Sequence, residues 1–110
     1  MRPGATRQGI AGRFLSAVRV TTEPDASFEK SPIHRHDNDQ YLVMIAGSLQ
    51  LEVEGDTYWV HAGDLAVFNS DEAHGAVAVG ESGAEYYEIF GPPRYDQLVG
   101  YHAPGPLRFE

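Results

Sequence analysis

Hydrophobic and polar positions alternate with a period of two over much of the chain, as in strands with one buried face. The clearest run is Ser48 to Glu54. Leu49, Leu51 and Val53 share one face, and Gln50, Glu52 and Glu54 share the other. Gly55-Asp56 predicts a tight hairpin turn, because glycine tolerates positive φ, and Thr57 to His61 is the returning strand. Phe14 to Thr22 is rich in β-formers and predicts a strand, followed by a turn at Glu23-Pro24-Asp25-Ala26. Phe28 to Pro32 leads into a polar, histidine-bearing stretch. Gln40 to Ala46 is almost continuously apolar and predicts a buried strand that stops at Gly47. Gly63-Asp64 is a turn, Leu65 to Phe68 a strand and Asn69 to Ala73 a loop. His74 to Val79 is a strand, Gly80 to Gly83 a turn, and Ala84 to Phe90 the last clear strand.

No segment of ten or more residues carries a helical period. Many short strands between Gly-rich turns predict an all-β sandwich or barrel. Met1 to Gly12 lacks a period and reads as a loose arm or edge strand. Pro92 and Pro93 forbid a central strand. Asp96 to Tyr101 predicts one short helical turn. The expected organisation is an arm over residues 1–12, a barrel over 13–98 and an extended tail over 99–110.

Composition narrows the function classes. The 110 residues suffice for one core. There is no cysteine, so any metal must use His, carboxylate or amide donors. The formal charge of −8 argues against nucleic-acid binding, which relies on clustered Lys and Arg. It also disfavours an anionic substrate unless a local cation offsets the field. No apolar run approaches a membrane span, and no apolar signal segment opens the chain. A cytoplasmic protein with a small-molecule substrate is the expectation.

The stretch Pro32 to Gly47 carries the candidate chemistry. Along extended backbone His34 and His36 project to one side, and Gln40 at the next strand's start can point back toward them. His74 arrives at the end of a loop between strands. These four residues are the candidate ligands of a divalent metal, with Zn, Ni, Mn and Fe(II) all compatible. Gln40 adds no charge, so the full cationic charge stays on the metal, favouring Lewis-acid over redox chemistry. The alternative for Gln40 is that it caps a backbone group. His61 and His102 lack partners at metal-binding spacing and read as surface residues. In the last strand Tyr86, Glu88 and Phe90 share one face, Tyr87 and Ile89 the other. Parity leaves open which faces inward. If the first set does, burial disfavours the charged form of Glu88 and suits it to general acid or base work.

The two blocks H-x-H-x3-Q-x6-G and G-x5-N-x4-H resemble the two motifs of the cupin superfamily, whose fold is a double-stranded β-helix or jelly-roll barrel. The usual motifs hold glutamate where this chain has Gln40, proline at Asn69, glycine at Asp71 and asparagine at Ala78. The absent proline and glycine bear on the turn before His74 more than on the ligand. Together with Glu88-Ile89-Phe90-Gly91-Pro92-Pro93-Arg94-Tyr95-Asp96, the first block resembles the small cupins that linearise unsaturated uronate sugars. That resemblance implies a metal held by three histidines and a glutamine, a catalytic acid at Glu88 (aspartate in the family), and substrate contacts from Phe90 and Arg94. In this reading Glu88 moves a proton, Arg94 pairs with the substrate carboxylate and Phe90 packs on the ring. It also implies a homodimer, which an N-terminal arm and a proline-rich tail would suit. A cupin dioxygenase using Fe or Ni, a polyketide-cyclase-like cupin and a non-catalytic ligand-binding module remain the alternatives, because this barrel hosts many chemistries.

Overall fold

The protein is analysed as a computed structural model that describes residues 5–26, 33–97 and 108–109, the last two by backbone alone. Two long strands organise it: β4 (Asp39–Val53) and β7 (His74–Gly91). They pair antiparallel almost throughout, from Asp39↔Gly91 to Val53↔His74. Register shifts between Met44 and Ala46, Gly47 and Leu49, and Gln50 and Leu51 bend this ribbon, as bulges do. Its two halves therefore lie in two facing layers.

In the first layer the order is β6 (Leu65–Phe68), β4, β7, β2 (Ser16–Thr22) and β1 (Ala5–Ala11). In the second it is β5 (Asp56–His61), β4, β7, β3 (His34–Arg35) and β8 (Arg108–Phe109). The core fills the space between. Val18, Val20, Leu42, Met44, Phe68, Tyr86 and Phe90 enter from the first layer. Leu49, Leu51 and Val60 enter from the second. This is the double-stranded β-helix expected from the motifs. Among the described residues the one helical piece is a 3₁₀ turn at Tyr95–Gln97.

Three local expectations are corrected. Gly47 does not end a strand, and Gly80 to Gly83 is not a turn, because both segments lie inside β4 and β7. Gly47 (φ 73°) and Gly83 (φ 76°) are instead the points where the ribbon bends over itself. A Cβ on Gly47 would stand 2.0 Å from the Gly83 carbonyl oxygen. The β4–β5 hairpin turns at Glu54-Gly55, not Gly55-Asp56. Both residues have positive φ (48° and 88°), the signature of a two-residue type I′ turn. Phe14 and Leu15 precede β2 and are exposed. The segment 28–32, the tail before Arg108, His102 and most of the expected turn from Asp96 to Tyr101 lie outside the described residues.

Candidate metal centre

Strand register assembles the site. His34 in β3 lies directly opposite His74 at the start of β7, and His36 follows two residues on. One ring nitrogen from each of the three lies within 4.8 Å of the other two. Gln40 and Glu88 enter from the first layer, on strands paired Gln40↔Phe90 and Leu42↔Glu88. His36, Gln40 and His74 are buried. Phe68 stacks face to face on His74 at 4.4 Å, and Phe90 meets His36 edge-on at 5.7 Å, so packing fixes both rings.

Hydrogen bonds assign the tautomers. His36 Nδ1 faces the Asn38 carbonyl at 3.0 Å, and His74 Nδ1 faces the Glu72 carbonyl at 2.9 Å. Each Nδ1–H therefore donates to backbone, leaving a lone pair on each Nε2. Both Nε2 atoms point at the Gln40 side-chain oxygen, at 3.1 and 3.0 Å. The amide's orientation is fixed from its other end, where Nε2 donates to the Glu88 carboxylate. Three lone pairs thus converge with no proton among them. Protonating the imidazoles would relieve this, but burial opposes it. Desolvation pushes His36 below its usual range and His74 down to about 4, outweighing the hydrogen bonds that raise each. A bound cation would satisfy these lone pairs. The spacing suits one, since adjacent ligands bound at about 2.1 Å at right angles stand about 3.0 Å apart.

The loop before His74 compensates for its missing glycine and proline. Asp71 takes φ 69°, a left-handed conformation that Asp tolerates better than most residues. Its N–H donates to the His36 carbonyl at 2.8 Å. The Ser70 N–H donates to the Asp39 carboxylate and its hydroxyl to the Asp37 carbonyl. The loop bearing His74 is thereby tied to the one bearing His36. Glu54, at the hairpin turn, accepts from the Ala73 N–H at 2.8 Å and from Arg35 at 3.4 Å. No periodicity in the sequence singles out Glu54 or Asp71, since their partners lie far along the chain.

A cavity of about 80 Å³ opens beside the histidines. His34, Gln40, His74 and Glu88 line its polar end; Leu42, Leu49, Leu51, Phe68, Ala76 and Tyr86 line the rest. The structure thus turns Tyr86, Glu88 and Phe90 inward, resolving the parity left open above. It does not bring all seven candidates onto one wall. Phe90 is fully buried against His36 and does not line the cavity. Arg94 also stands behind the wall, with its guanidinium 5.0 Å above the Phe90 ring and paired with Asp96 at 2.7 Å. Asn38, buried beside them, donates to the Pro92 carbonyl and so joins the His36 loop to the Arg94 segment. Asn38 and Asp96 carried no distinguishing signal in the sequence. His61 is exposed, as expected of a surface residue.

The Cupin domain family model matches residues 18–90. The chain belongs to the cupin family. This cupin is 35% identical over 66 residues to the pectin degradation protein KdgF of Dickeya dadantii (strain 3937), a match covering 59% of each chain. It is 32% identical over 66 residues to the H2HPP isomerase of Bacillus subtilis, covering 60% of this chain and 28% of that one. It thus spans well under two thirds of either curated relative's length. Among solved structures, KdgF from Halomonas sp. superposes with a TM-score of 0.75 at 29% identity, over 87% of this chain and 86% of that one. An RmlC-like cupin from Shewanella frigidimarina NCIMB 400 gives 0.73 at 25% identity, over 86% and 82%.

Proposed function

We propose that this cupin is a metal-dependent enzyme that opens or isomerises a small sugar acid or oxo-acid of the uronate type. The observation that carries the reading is the Glu88–Gln40–histidine cluster at the polar end of a partly open cavity. His34, His36, His74 and the Gln40 oxygen would hold the ion. A divalent cation bound there supplies Lewis-acid polarisation of a substrate carbonyl or hydroxyl oxygen. Glu88, on the cavity wall, takes a proton from one substrate atom and returns it to another, the transfer that ring opening and tautomerisation both need. The hydrogen bond from Gln40 fixes the position of its carboxylate. The apolar wall from Leu42 to Tyr86 excludes water from the transfer. Arg94 acts from behind, since Asp96 already neutralises it, and supports the Phe90 ring against His36. The names of the relatives, a pectin degradation protein and an isomerase, agree with this chemistry.

The test is turnover of a 4,5-unsaturated uronate by metal-loaded protein, anaerobically. Glu88→Ala is expected to lower the rate by about a hundredfold or more while metal content is retained. Unchanged rates in that variant remove Glu88 from the mechanism. Absence of turnover by the wild type, with metal bound, overturns the enzymatic reading.

A further inference from the structure

The hairpin between β4 and β5 carries a residue that its backbone does not favour. A type I′ turn needs positive φ at both central positions, and Asn-Gly supplies it with the least strain. Here the pair is Glu54-Gly55, with φ of 48° and 88°. Gly55 meets the demand by having no Cβ. Glu54 meets it against steric preference, without the short polar side chain that lets Asn tolerate this region. A left-handed residue of this kind is held in place by what surrounds it.

What Glu54 touches is the residue just before a histidine of the candidate metal centre. Its N–H donates to the Ala73 carbonyl at 2.8 Å, and its carboxylate accepts from the Ala73 N–H at 2.8 Å. Ala73, which is buried, is thus gripped at both of its backbone polar groups. The adjoining ladder pair, Val53↔His74, carries that grip into the histidine. On the other side, the Glu72 carbonyl receives the His74 Nδ1–H. The same Glu54 oxygen also accepts from Arg35 at 3.4 Å. Arg35 stands between His34 and His36 in the chain, and its guanidinium donates to the Asp71 carbonyl at 2.7 Å. An exposed Arg–Glu pair contributes little by itself. This one shares its acceptor with a buried backbone N–H, so a single carboxylate oxygen touches both segments that bear the three histidines.

We propose that Glu54 is a positioning residue for the metal centre. Its carboxylate locks the segment before His74 against the strand bearing His34 and His36, so the imidazoles are held at metal-binding spacing before an ion arrives. The proposal rests on the reading of the histidine cluster as a cation site. Without the lock, the segment before His74 gains other conformations. The competent arrangement becomes a fraction of the population, and apparent affinity falls by that fraction. Supporting groups of this kind typically change metal affinity about tenfold to a hundredfold. The positive φ of Glu54 then has a role. Asparagine would suit the turn better, but one methylene shorter it would not reach the Ala73 N–H.

Calorimetric titration of the metal-free protein with Co²⁺ tests this, with the visible absorption of bound Co²⁺ as a second readout. Glu54→Asn is expected to raise Kd about tenfold or more and to alter the spectrum. Glu54→Gln keeps an acceptor oxygen at the same reach and is expected to recover most of the wild-type affinity. Asp56→Asn, at an exposed acid on the same hairpin, removes an equal charge and is expected to leave Kd unchanged. Circular dichroism checks that each variant is folded. A merely structural contact would shift the urea midpoint of the metal-free protein while leaving Kd and spectrum alone, and that result overturns the proposal. So does Glu54→Gln binding as weakly as Glu54→Asn. An equal loss in Asp56→Asn also overturns it, by making the effect one of net charge. A wild type that binds no Co²⁺ is a distinct failure, since it sinks the cation site itself and the proposal with it.

Discussion

At the residue scale, the glutamine at position 40 links the buried histidines to Glu88. A carboxylate there would bind the ion through charge, and its neighbour Glu88 would repel it. The amide does two things at once, the second of which a carboxylate cannot do. Its oxygen faces both imidazoles, and its N–H₂ group donates to Glu88. The histidines supply the pH dependence. Unfolded, His74 has its ordinary value of 6.5; folded, it is held at about 4. Above pH 6.5 neither state binds the proton. Between 6.5 and 4 only the unfolded chain does, so stability falls as the pH drops through that window and levels off near 4. The loss is at most about 3 kcal/mol from this residue. His36, lowered for the same reason, acts in the same direction. Chelator-treated protein is expected to show a lower urea midpoint at pH 5 than at pH 7, with the difference reduced in His74→Asn. Equal midpoints at both pH values would mean the ring is not buried in its neutral form.

At the element scale, the long ribbon of β4 and β7 depends on glycines for two unequal reasons. Gly47 needs both positive φ and the missing Cβ, which would stand 2.0 Å from the backbone of Gly83. Gly55 needs only positive φ, with nothing within 4 Å of its Cβ position. Gly55→Ala is therefore expected to cost about 1 kcal/mol, and Gly47→Ala about 3 kcal/mol or more, because backbone must move. Thermal melts of the two variants measure the contrast, and equal losses would refute it. Single strands were legible from their alternation, as at Leu49, Leu51 and Val53. Their continuity was not. Gly47 and Gly80 to Gly83 read as turns because local sequence cannot distinguish a chain that reverses from a strand that bends across to a second layer. The three histidines and Gln40 were legible because motif spacing carries them. Arg94 was legible as a residue but not in its setting. Its partner Asp96 is two positions away, and its packing on Phe90 is a tertiary fact. Inward-facing Glu88 became decidable only through its register with Leu42 and Val18.

For the whole molecule, the proposed ion would join three separate parts of the fold: β3 and the loop after it, the start of β4, and the start of β7. Anything that binds the folded chain alone stabilises it by mass action, by about 2.7 kcal/mol at a hundredfold excess over Kd. Chelation is accordingly expected to lower the melting temperature by several degrees, with recovery on adding back the divalent ion. A melting temperature indifferent to chelator would argue that the lone pairs at the centre are satisfied in some other way.

The sharing of β4 and β7 between both layers has a consequence for how the barrel comes apart. Neither layer owns its central strands, so neither can melt while the other stays intact. Peeling the β4–β7 ribbon at Leu42 strains it at Leu49 across the bend. Amide hydrogens deep in both layers should accordingly exchange with solvent through one global opening rather than two regional ones. The pocket, lying between the layers, would inherit the rigidity of the entire shell.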